Sequence, residues 1–368
     1  MRVLHLISSS GFFGAENVAL NLMNSLKRDE NNPHLLCLKN SGKPDPVVHI
    51  EAERQGIASD VITCNKRFDM SAIGRIRDFI NENKIDIVHS HGYKSNLYGM
   101  IASRMAHVPI VTTLHGWMAE DIKARFYETL DRLVIKRMDH VISVSPMINK
   151  EVDELKLDVD KYSFIPNAID TDKFDPSSEG PDMRAIFGID NAIVIGTVGR
   201  LGPEKGHLFL LRAFKEISSM VPEARLLMVG GGFLEEMLER ETEALGIRDK
   251  VEFAGNQYDM VSVYKTMDIF VLPSLMEGMP MVLLEAMSME LPVIASEVGG
   301  IPHVVGKDDG MLVPPRDIYE LRYAMFRLLK DRGLRKKMGG EARKKILRTY
   351  SLQSFYNRYI NTYEKVLH

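Results

Sequence analysis

Short apolar runs rich in β-branched residues alternate along this chain with longer stretches of helical pattern. Such short runs predict buried strands, and their alternation with helices predicts βαβ units on parallel sheets. The first half of the chain has five predicted strands: Val3–Ile7, Leu35–Leu38, Ile85–His89, Ile110–Leu114 and His140–Val144. A glycine-bearing turn and a helix from about Ala15 to Lys27 follow the first of them.

A polar stretch, "SFIPNAIDTDKFDPSSEGPD", interrupts this rhythm and is rich in Pro, Asp, Ser and Gly, as linkers between domains are. Five more strands are predicted after it: Ile193–Thr197, Arg225–Val229, Lys250–Phe253, Ile269–Leu272 and Pro292–Ala295. The pattern therefore predicts an α/β protein of two doubly wound domains, residues 1–168 and 169–350. Open parallel sheets bind ligands beyond the carboxyl ends of their strands, so we expect the ligand in a cleft that both domains face.

Composition narrows the class of protein. A chain of 368 residues is too long for one ordinary core, which agrees with two domains. Its net charge of −3 gives no overall bias toward polyanions and does not indicate a nucleic-acid partner. Cys37 and Cys64 form no CxxC motif, which argues against structural zinc or a disulfide framework. Apolar runs are too short for a membrane span, and the one at the N-terminus is too short for a signal peptide, so a cytoplasmic protein is predicted.

The loop after the first strand, "SSSGFFGAEN", carries Gly11 and Gly14 just before a helix. Glycines there let the backbone approach a ligand, and a helix N-terminus favours an anion. A nicotinamide enzyme would need an acidic residue at the end of the second strand, where Lys39 and Asn40 stand instead. A phosphate-facing loop is the favoured interpretation, and a plain tight turn is the alternative.

The stretch "TVGRLGPEKGHLFLLRAF" opens the second domain and places Arg200 and Lys205 directly after a strand. The guanidinium fork of Arg and the point charge of Lys together suit a diphosphate. Two solvated surface cations are the alternative, but their position at the carboxyl end of a strand favours a ligand.

A third stretch, "EGMPMVLLE", has glutamates at both ends of an apolar run. Glu277 falls in a loop, Pro280 suits the first turn of a helix, and Glu285 follows about 7.5 Å along the helix axis. Burying an unpaired carboxylate is costly, so both are expected to meet polar groups. Two glutamates bound to hydroxyls, with helix-end amides near Met279, Pro280, Met281 and Val282, would fit a sugar diphosphate.

The E-x7-E pattern Glu277…Glu285, with "GRLGPEKG", "IPNAID", "SEVGGIP" and "GMLVPP" in the same order, resembles the retaining nucleotide-sugar glycosyltransferases of glycosyltransferase family 4. The resemblance covers nearly the whole chain and implies the GT-B fold. It implies that Arg200 and Lys205 bind the donor diphosphate, that Glu285 binds the ribose and that Glu277 touches the donor sugar. One departure is Glu290, which stands where a glycine commonly ends the helix.

In the first domain the resemblance implies that Gly14 meets the diphosphate and that His115 is the active-site histidine near the sugar. Taken without the family, His115 would be interpreted as a core histidine at a strand end. The stretches "HGYKSNLYG" and "HGWMAEDIKARFYE" are the candidate acceptor surface. The fold also implies that the last helix, about Leu352–Leu367, returns to the first domain, so residues 351–368 are assigned to it.

The resemblance implies an enzyme that moves a sugar from a nucleoside diphosphate, UDP before GDP, to an acceptor hydroxyl with retention. The implied setting is bacterial polysaccharide, lipopolysaccharide or glycolipid assembly, with a saccharide or lipid-linked saccharide acceptor and no metal or other cofactor. A nucleotide-sugar epimerase of the same fold and a non-catalytic nucleotide-sugar binding protein are the alternatives.

Three further patterns have mainly structural interpretations. His89 and His91 in "HSHG" suggest a metal, but no third ligand is evident, so a structural or acceptor-side role is favoured. The triplets "DVD" and "DTD" resemble metal-binding D-x-D motifs but lie in or beside the polar linker, where Asp serves turns. The basic stretch from Arg332 to Arg348 is interpreted as a solvated helix face, with peripheral contact to anionic lipid on the cytoplasmic membrane face as the alternative.

Overall fold

The computed structural model describes residues 1–8, 14–28, 31–66, 68–114, 122–144 and 152–368. The chain divides into two compact units. Unit 1 comprises Met1–Asn167 together with Leu352–His368, and unit 2 comprises Ala168–Ser351.

Unit 1 is built on a seven-stranded parallel sheet. Its strands are β1 (Arg2–Ile7), β2 (Asn32–Asn40), β3 (Ala58–Cys64), β4 (Ile87–His91), β5 (Ile110–Leu114), β6 (His140–Ser143) and β7 (Tyr162–Phe164). Their order across the sheet is β3-β2-β1-β4-β5-β6-β7. The order reverses next to β1, as it does in doubly wound folds, and the carboxyl ends of all the strands lie at one edge of the sheet.

The described helices of unit 1 lie mostly between these strands. They are α1 (Gly14–Arg28), α2 (Val47–Arg54), α3 (Met70–Glu82), α4 (Tyr93–Ala106) and α5 (Ile122–Ile135). The last helix of the chain, α14 (Leu352–Leu367), also belongs to this unit and packs against α1. It buries four aromatic side chains, Phe355, Tyr356, Tyr359 and Tyr363, which explains why it stays on this unit.

Unit 2 repeats the plan with a six-stranded parallel sheet in the order β10-β9-β8-β11-β12-β13. The strands are β8 (Ile193–Val198), β9 (Ala224–Val229), β10 (Val251–Gly255), β11 (Ile269–Leu272), β12 (Val293–Ser296) and β13 (Gly310–Val313). The helices are α6 (Met183–Ile186), α7 (His207–Met220), α8 (Glu235–Leu245), α9 (Met260–Lys265), α10 (Met281–Ser288), α11 (Ile301–Val304), α12 (Ile318–Lys330) and α13 (Arg332–Thr349). The predicted fold class of two doubly wound α/β units is confirmed.

Each of the ten predicted strands overlaps an observed one, although β4 begins two residues later than predicted. The three strands that the sequence did not indicate, β3, β7 and β13, all lie at sheet edges. Interior strands are buried on both faces, and β11 is a continuous apolar run. The edge strands β3 and β7 are partly exposed and mix polar with apolar residues, and β13 has only four residues, so their patterns are weaker. The edge strand β10 was nevertheless predicted.

Glu290, at the family's usual glycine position after α10, adopts a left-handed backbone with φ of 60°, so the turn keeps its conformation without a glycine. Within the described part of the chain, no helix combines the length and the apolar character needed to cross a membrane.

Candidate active site

The loop between β8 and α7, residues 199–206, contains both residues that are predicted to bind a diphosphate, Arg200 and Lys205. A short 3₁₀ turn, Pro203–Lys205, ends at Gly206, which has a φ of 68°. A side chain on Gly206 would collide with the carbonyl oxygen of Pro273, so glycine lets this loop press against the loop after β11. Leu275 N donates a 2.7 Å hydrogen bond to the Glu204 carbonyl and ties the same two loops together.

This contact brings Lys205 to Glu277. Lys205 Nζ lies 2.6 Å from Glu277 Oε1, and the Ser274 hydroxyl donates to the same oxygen at 2.7 Å. The two charged side chains are only 19% and 9% exposed, so water screens the pair weakly. No hydrogen bond between described residues uses Glu277 Oε2, which leaves that oxygen as an acceptor for a ligand hydroxyl.

The main chain at Glu277 is held from a second side by the loop after β12. Gly300 N donates to the Gly278 carbonyl at 2.9 Å. A side chain on Gly299, whose φ is 54°, would collide with the Glu277 carbonyl oxygen. The glycine pair in "SEVGGIP" therefore has a physical reason, because it allows two backbone segments to touch. Loops from three strands fix the position of the Glu277 carboxylate.

Arg200 has a different environment. Its guanidinium donates a 2.6 Å hydrogen bond to Glu204 Oε1, and its side chain is 68% exposed. The predicted cation pair thus shares one loop, but each cation has its own carboxylate. Lys205 is held by a nearly buried partner, whereas Arg200 reaches out from the surface.

Glu285 lies on α10 and is bound by Tyr264. The fully buried Tyr264 donates its hydroxyl to Glu285 Oε2 at 2.8 Å. Burial raises the pKa of the Glu285 carboxyl above its usual value, while the Tyr264 hydrogen bond and the nearby charge of Lys173 act in the opposite direction. Burial also raises the pKa of Tyr264 well above its ordinary value, and the neighbouring carboxylate adds to this shift. The Glu285 carboxylate is therefore fixed in position by Tyr264 and partly desolvated, and it can accept hydrogen bonds from a ligand.

The N-terminus of α10 lies between these two glutamates in the sequence. Pro280 is the N-cap residue, and no side chain caps the helix within the described chain. Met279, Met281 and Val282 are half-buried around it. The first amides of a helix lack intrahelical partners and carry the positive end of its dipole, so this end is suited to an anion. Lys205, Glu277 and the helix end form one polar group at the carboxyl edge of the sheet.

The predicted site residues of unit 1 are described only in part. Gly14 is the first residue of α1, the helix that follows β1. Gly11 and His115 lie outside the described residues, and so does the first half of "HGWMAEDIKARFYE". The roles of Gly14 and His115 therefore stay predictions.

The histidines of "HSHG" acquire a third neighbour that the sequence did not indicate. His5 on β1 is paired in register with His89 on β4, and its Nδ1 lies 3.2 Å from His91 Nε2. Coordinating atoms of the three rings lie within 4.8 Å of one another. The expectation that no third potential ligand exists was wrong, because the β1–β4 register was not readable from the sequence.

The hydrogen bonds of this histidine cluster favour a structural role. His89 Nδ1 bonds to the Tyr363 hydroxyl and Nε2 to Thr113 Oγ1, both at 2.7 Å. Burial lowers the pKa of His5 to about 3, so that ring is neutral at physiological pH. The described group of potential ligands includes no carboxylate or thiolate, so a divalent ion placed here would lie in a buried site without an anionic ligand, which is costly. The cluster instead connects β1, β4 and β5 to α14.

Four partners of the predicted residues were missed: Ser274, Glu204, Tyr264 and Lys173. Ser274 could have been found, because it lies two residues beyond β11, where ligand-binding side chains are expected. Glu204 is adjacent to Lys205 in the sequence. Its backbone hydrogen bond to Leu275 joins two loops that are distant in the sequence, so no local pattern predicts it. Tyr264 and Lys173 come from distant segments and left no local signal.

Comparison with known proteins gives the class of this protein. A solved glycosyltransferase from Rickettsia africae aligns with a TM-score of 0.84 at 20% identity, covering 100% of this chain and 98% of that one. Anabaena Alr3699/HepE, solved in complex with UDP, aligns with a TM-score of 0.83 at 21% identity over 99% and 100%. These likenesses show the fold, which is that of the GT-B glycosyltransferases.

The family follows from sequence. The model described as Glycosyltransferase Family 4 matches residues 13–173, and that described as Glycosyl transferases group 1 matches residues 181–345. UDP-Gal:alpha-D-GlcNAc-diphosphoundecaprenol alpha-1,3-galactosyltransferase of Escherichia coli is 33% identical over 77% of this chain and 76% of its own length. The capsular polysaccharide biosynthesis glycosyltransferase CapM of Staphylococcus aureus is 27% identical over 80% and 83%. This chain belongs to glycosyltransferase family 4, and it is a glycosyltransferase.

Proposed function

We propose that this enzyme transfers a sugar from a UDP-sugar to a hydroxyl of a lipid-linked saccharide, with retention of the anomeric configuration. The observation that carries the proposal is the nearly buried Lys205–Glu277 pair beside the uncapped N-terminus of α10. It combines a cation, an oriented carboxylate and helix-end amides, which are the groups that a nucleotide sugar requires.

The donor diphosphate is assigned to the cationic side of this group. Lys205 offers a point charge held in place by Glu277 and Ser274, the α10 amides offer hydrogen bonds, and Arg200 can add its exposed guanidinium. These groups stabilise the negative charge that develops on the leaving UDP, and such preorganised stabilisation is commonly the largest catalytic contribution. The resemblance to the family motivates a further assignment of Gly14, at the start of α1, to binding of the donor diphosphate.

The hydroxyl groups of the donor are assigned to the two glutamates. Glu277 Oε2 accepts from the transferred sugar, while Glu277 Oε1 stays bound to Lys205 and Ser274. A carboxylate engaged in this way suits positioning of the sugar more than proton abstraction. Glu285, held by Tyr264, accepts from the ribose hydroxyls. His115 directly follows β5 in the sequence and is assigned to the sugar as well.

Retention is proposed through a front-face reaction. The bond between the sugar C1 and the diphosphate oxygen breaks, and a bond from C1 to the acceptor oxygen forms on the same face. The acceptor proton passes to the departing diphosphate oxygen, which serves as the base. Glu277 then orients C1 toward the acceptor without forming a covalent intermediate, and no metal is part of the proposed reaction.

The choice of UDP and of a lipid-linked acceptor rests on the similarity of this chain to proteins whose names or structures include them. The E. coli relative is named for UDP-Gal and a diphosphoundecaprenol acceptor, and Anabaena HepE was solved with UDP. Capsular polysaccharide biosynthesis in the name of the S. aureus relative fits the same setting. We therefore place this enzyme in bacterial polysaccharide, lipopolysaccharide or glycolipid assembly.

The test is transfer with a panel of donors, UDP-galactose, UDP-glucose, UDP-GlcNAc and GDP-mannose, to a short-chain GlcNAc-diphospholipid. We expect UDP release that depends on the acceptor, and NMR of the product should show an α linkage from an α-linked donor. A β linkage would contradict retention, and turnover of GDP-mannose alone would contradict the UDP assignment. A new nucleotide sugar formed without acceptor would instead indicate an epimerase, and binding without turnover a non-catalytic protein.

A further inference from the structure

Helix α13 carries a local charge opposite to that of the whole chain. Between Arg332 and Thr349 the sequence has eight Lys or Arg residues and one acidic residue, Glu341, whereas the complete chain has a net charge of −3. A stretch so rich in cations can be a solvated surface or a binding surface, and its contacts in the folded chain distinguish the two.

Three of these cations are used within unit 2. Arg335 donates to the Leu328 and Leu329 carbonyls at 2.6 and 3.0 Å, which ties α13 to the end of α12. Lys345 Nζ lies 3.0 Å from Asp309. Arg343 donates to Asp175 and to the carbonyls of Phe174 and Ser288. These three residues stabilise the unit and are not available to a partner.

The remaining cations lie together on the outer face. Arg332, Lys336, Lys337 and Lys344 border a shallow groove, which is also lined by Gly333, Gly340 and Glu341. A side chain on Gly340 would meet nothing, so the middle of this face is open. Arg348 continues the face one turn beyond Lys344, since residues four apart are neighbours on a helix.

These outer cations are weakly compensated. Lys344 pairs with Glu341 at 2.8 Å, but Arg332, Lys336 and Arg348 take part in no ion pair among the described residues. Like charges four residues apart repel each other along a helix. This repulsion decreases when an anionic surface approaches. Binding to such a surface is therefore electrostatically favourable for the outer face of α13.

We propose that this outer face of α13, Arg332, Lys336, Lys337, Lys344 and Arg348, rests on the anionic phospholipid surface of a membrane. The face extends about 24 Å along the helix, so several headgroups can meet it at once. The open space beside Gly340 leaves room for phosphate oxygens between the cations. Leu347, on the same outer side and 45% exposed, adds an apolar contact at the interface.

A nucleic acid is the less suitable polyanion. A duplex is long and thick, so it would also approach the rest of the chain, whose net charge is negative and would repel it. A planar membrane surface needs to contact only one helix. The inference extends the proposed function, which places the acceptor on a lipid, by naming the surface that brings the enzyme to that lipid. Its test does not require catalysis.

The experiment is co-sedimentation of the full chain with vesicles of phosphatidylcholine alone or with about 30% phosphatidylglycerol, at low and high salt. The test variant is R332E/K336E/R348E, whose residues make no described ion pair. The matched control is K43E/K66E/K161E, which makes the same change in net charge at exposed lysines of unit 1. We expect the test variant to lose at least about tenfold in partition to anionic vesicles, and the control to change by less than about twofold.

Three results would overturn the proposal: equal binding to neutral vesicles, no binding to anionic vesicles at low salt, or an equal loss in the control. Tighter binding of a DNA or RNA duplex than of anionic vesicles at the same salt would also overturn it in favour of a nucleic acid. Transfer to a water-soluble acceptor should be unchanged in R332E/K336E/R348E. If wild type lacked that transfer yet bound the vesicles, the proposed function would fail while this inference stood.

Discussion

The two units each contain a buried polar cluster, and the clusters differ in kind. In unit 2, Lys205 and Glu277 form a charged pair, and one oxygen of Glu277 has no hydrogen-bond partner among the described residues. In unit 1, His5 and His89 lie in a buried network of rings and hydroxyls that bonds to α14.

The difference separates a binding group from a structural one. A buried ion pair costs desolvation and is weak grounds for stability, so an incomplete one at the carboxyl edge of a sheet points to a ligand. A network of rings and hydroxyls contains no ion pair to desolvate, and its hydrogen bonds fix the packing of the elements that it joins. Substitution in unit 2 should therefore act on turnover, and substitution in unit 1 on stability.

Glu277→Ala should have the largest effect. Because the proposed role of Glu277 is to position the transferred sugar, we expect kcat/KM to fall by about 10²–10³-fold, in the range seen for loss of one preorganised catalytic contact. The melting temperature should change little, by about 2–4 °C, since Lys205 can turn toward water. Steady-state kinetics and thermal melts measure both quantities.

Glu243 on α8 is exposed and provides the matched control, because Glu243→Ala removes the same chemical group from the same unit. Its kinetics should equal those of wild type. Wild-type turnover in the Glu277 variant would show that Glu277 has no part in the active site. The contrast between a functional cluster in unit 2 and a structural cluster in unit 1 would then fail.

His89→Ala should come next, with an effect on stability. The substitution removes two 2.7 Å hydrogen bonds and leaves the Tyr363 and Thr113 hydroxyls with a lost partner, so we expect a loss of about 2–4 kcal/mol in unfolding free energy. Urea unfolding measures this loss. The affinity of the folded variant for UDP should stay within about twofold, since the assigned UDP ligands are mainly in unit 2.

His34 on β2, two strands from β4 in the same sheet, gives the control. Its imidazole pairs with Asp60, whose side chain is 59% exposed, so His34→Ala should cost less than about 1 kcal/mol. Equal losses at His34 and His89 would mean that the buried network contributes nothing beyond a surface pair.

Lys205→Ala and Arg200→Ala should differ in their effects on UDP binding. Lys205 is held at a nearly buried site, so its removal should weaken binding by about 10–100-fold, the equivalent of one charged hydrogen bond. Arg200 is exposed and screened, so its removal should cost only a few-fold. Calorimetric titration with UDP measures both, and the reverse ranking would place the diphosphate on the outer side of the loop.

Glu285→Gln should have the smallest effect on stability, and its sign is opposite. Burial raises the pKa of the Glu285 carboxyl above 4.5, so the folded chain binds this proton more tightly than the unfolded chain does. Ionisation of Glu285 therefore lowers stability above its folded pKa, and this loss disappears below about pH 4.5. The Gln variant should melt higher than wild type at neutral pH, and the difference should vanish in acid.

The same substitution should weaken UDP binding, because an amide accepts ribose hydroxyls less well than a carboxylate does. Melting curves between about pH 4 and 8 with parallel UDP titrations test both effects. A variant that is less stable at neutral pH would show that the carboxylate is stabilised by its surroundings.

The sequence determined the fold class, because interior strands such as β11 are buried on both faces and their apolar runs are local signals. It indicated the edge strand β10, but it did not indicate β3 and β7, which mix polar with apolar residues, or the four-residue β13. The candidate residues Arg200, Lys205, Glu277 and Glu285 were identified from their spacing and from the family, because each lies directly after a strand or in the helix that follows one.

Only the tertiary structure decided how those residues are paired. It joined Lys205 to Glu277 across two loops, gave Arg200 to Glu204, placed Tyr264 on Glu285 and added His5 to the histidine cluster. Each pairing depends on strand order and register, which arise from packing over the whole unit and leave no mark on neighbouring residues. The basic residues of α13 were visible as a run, but folding alone assigned Arg335, Arg343 and Lys345 to the interior and left the others facing outward.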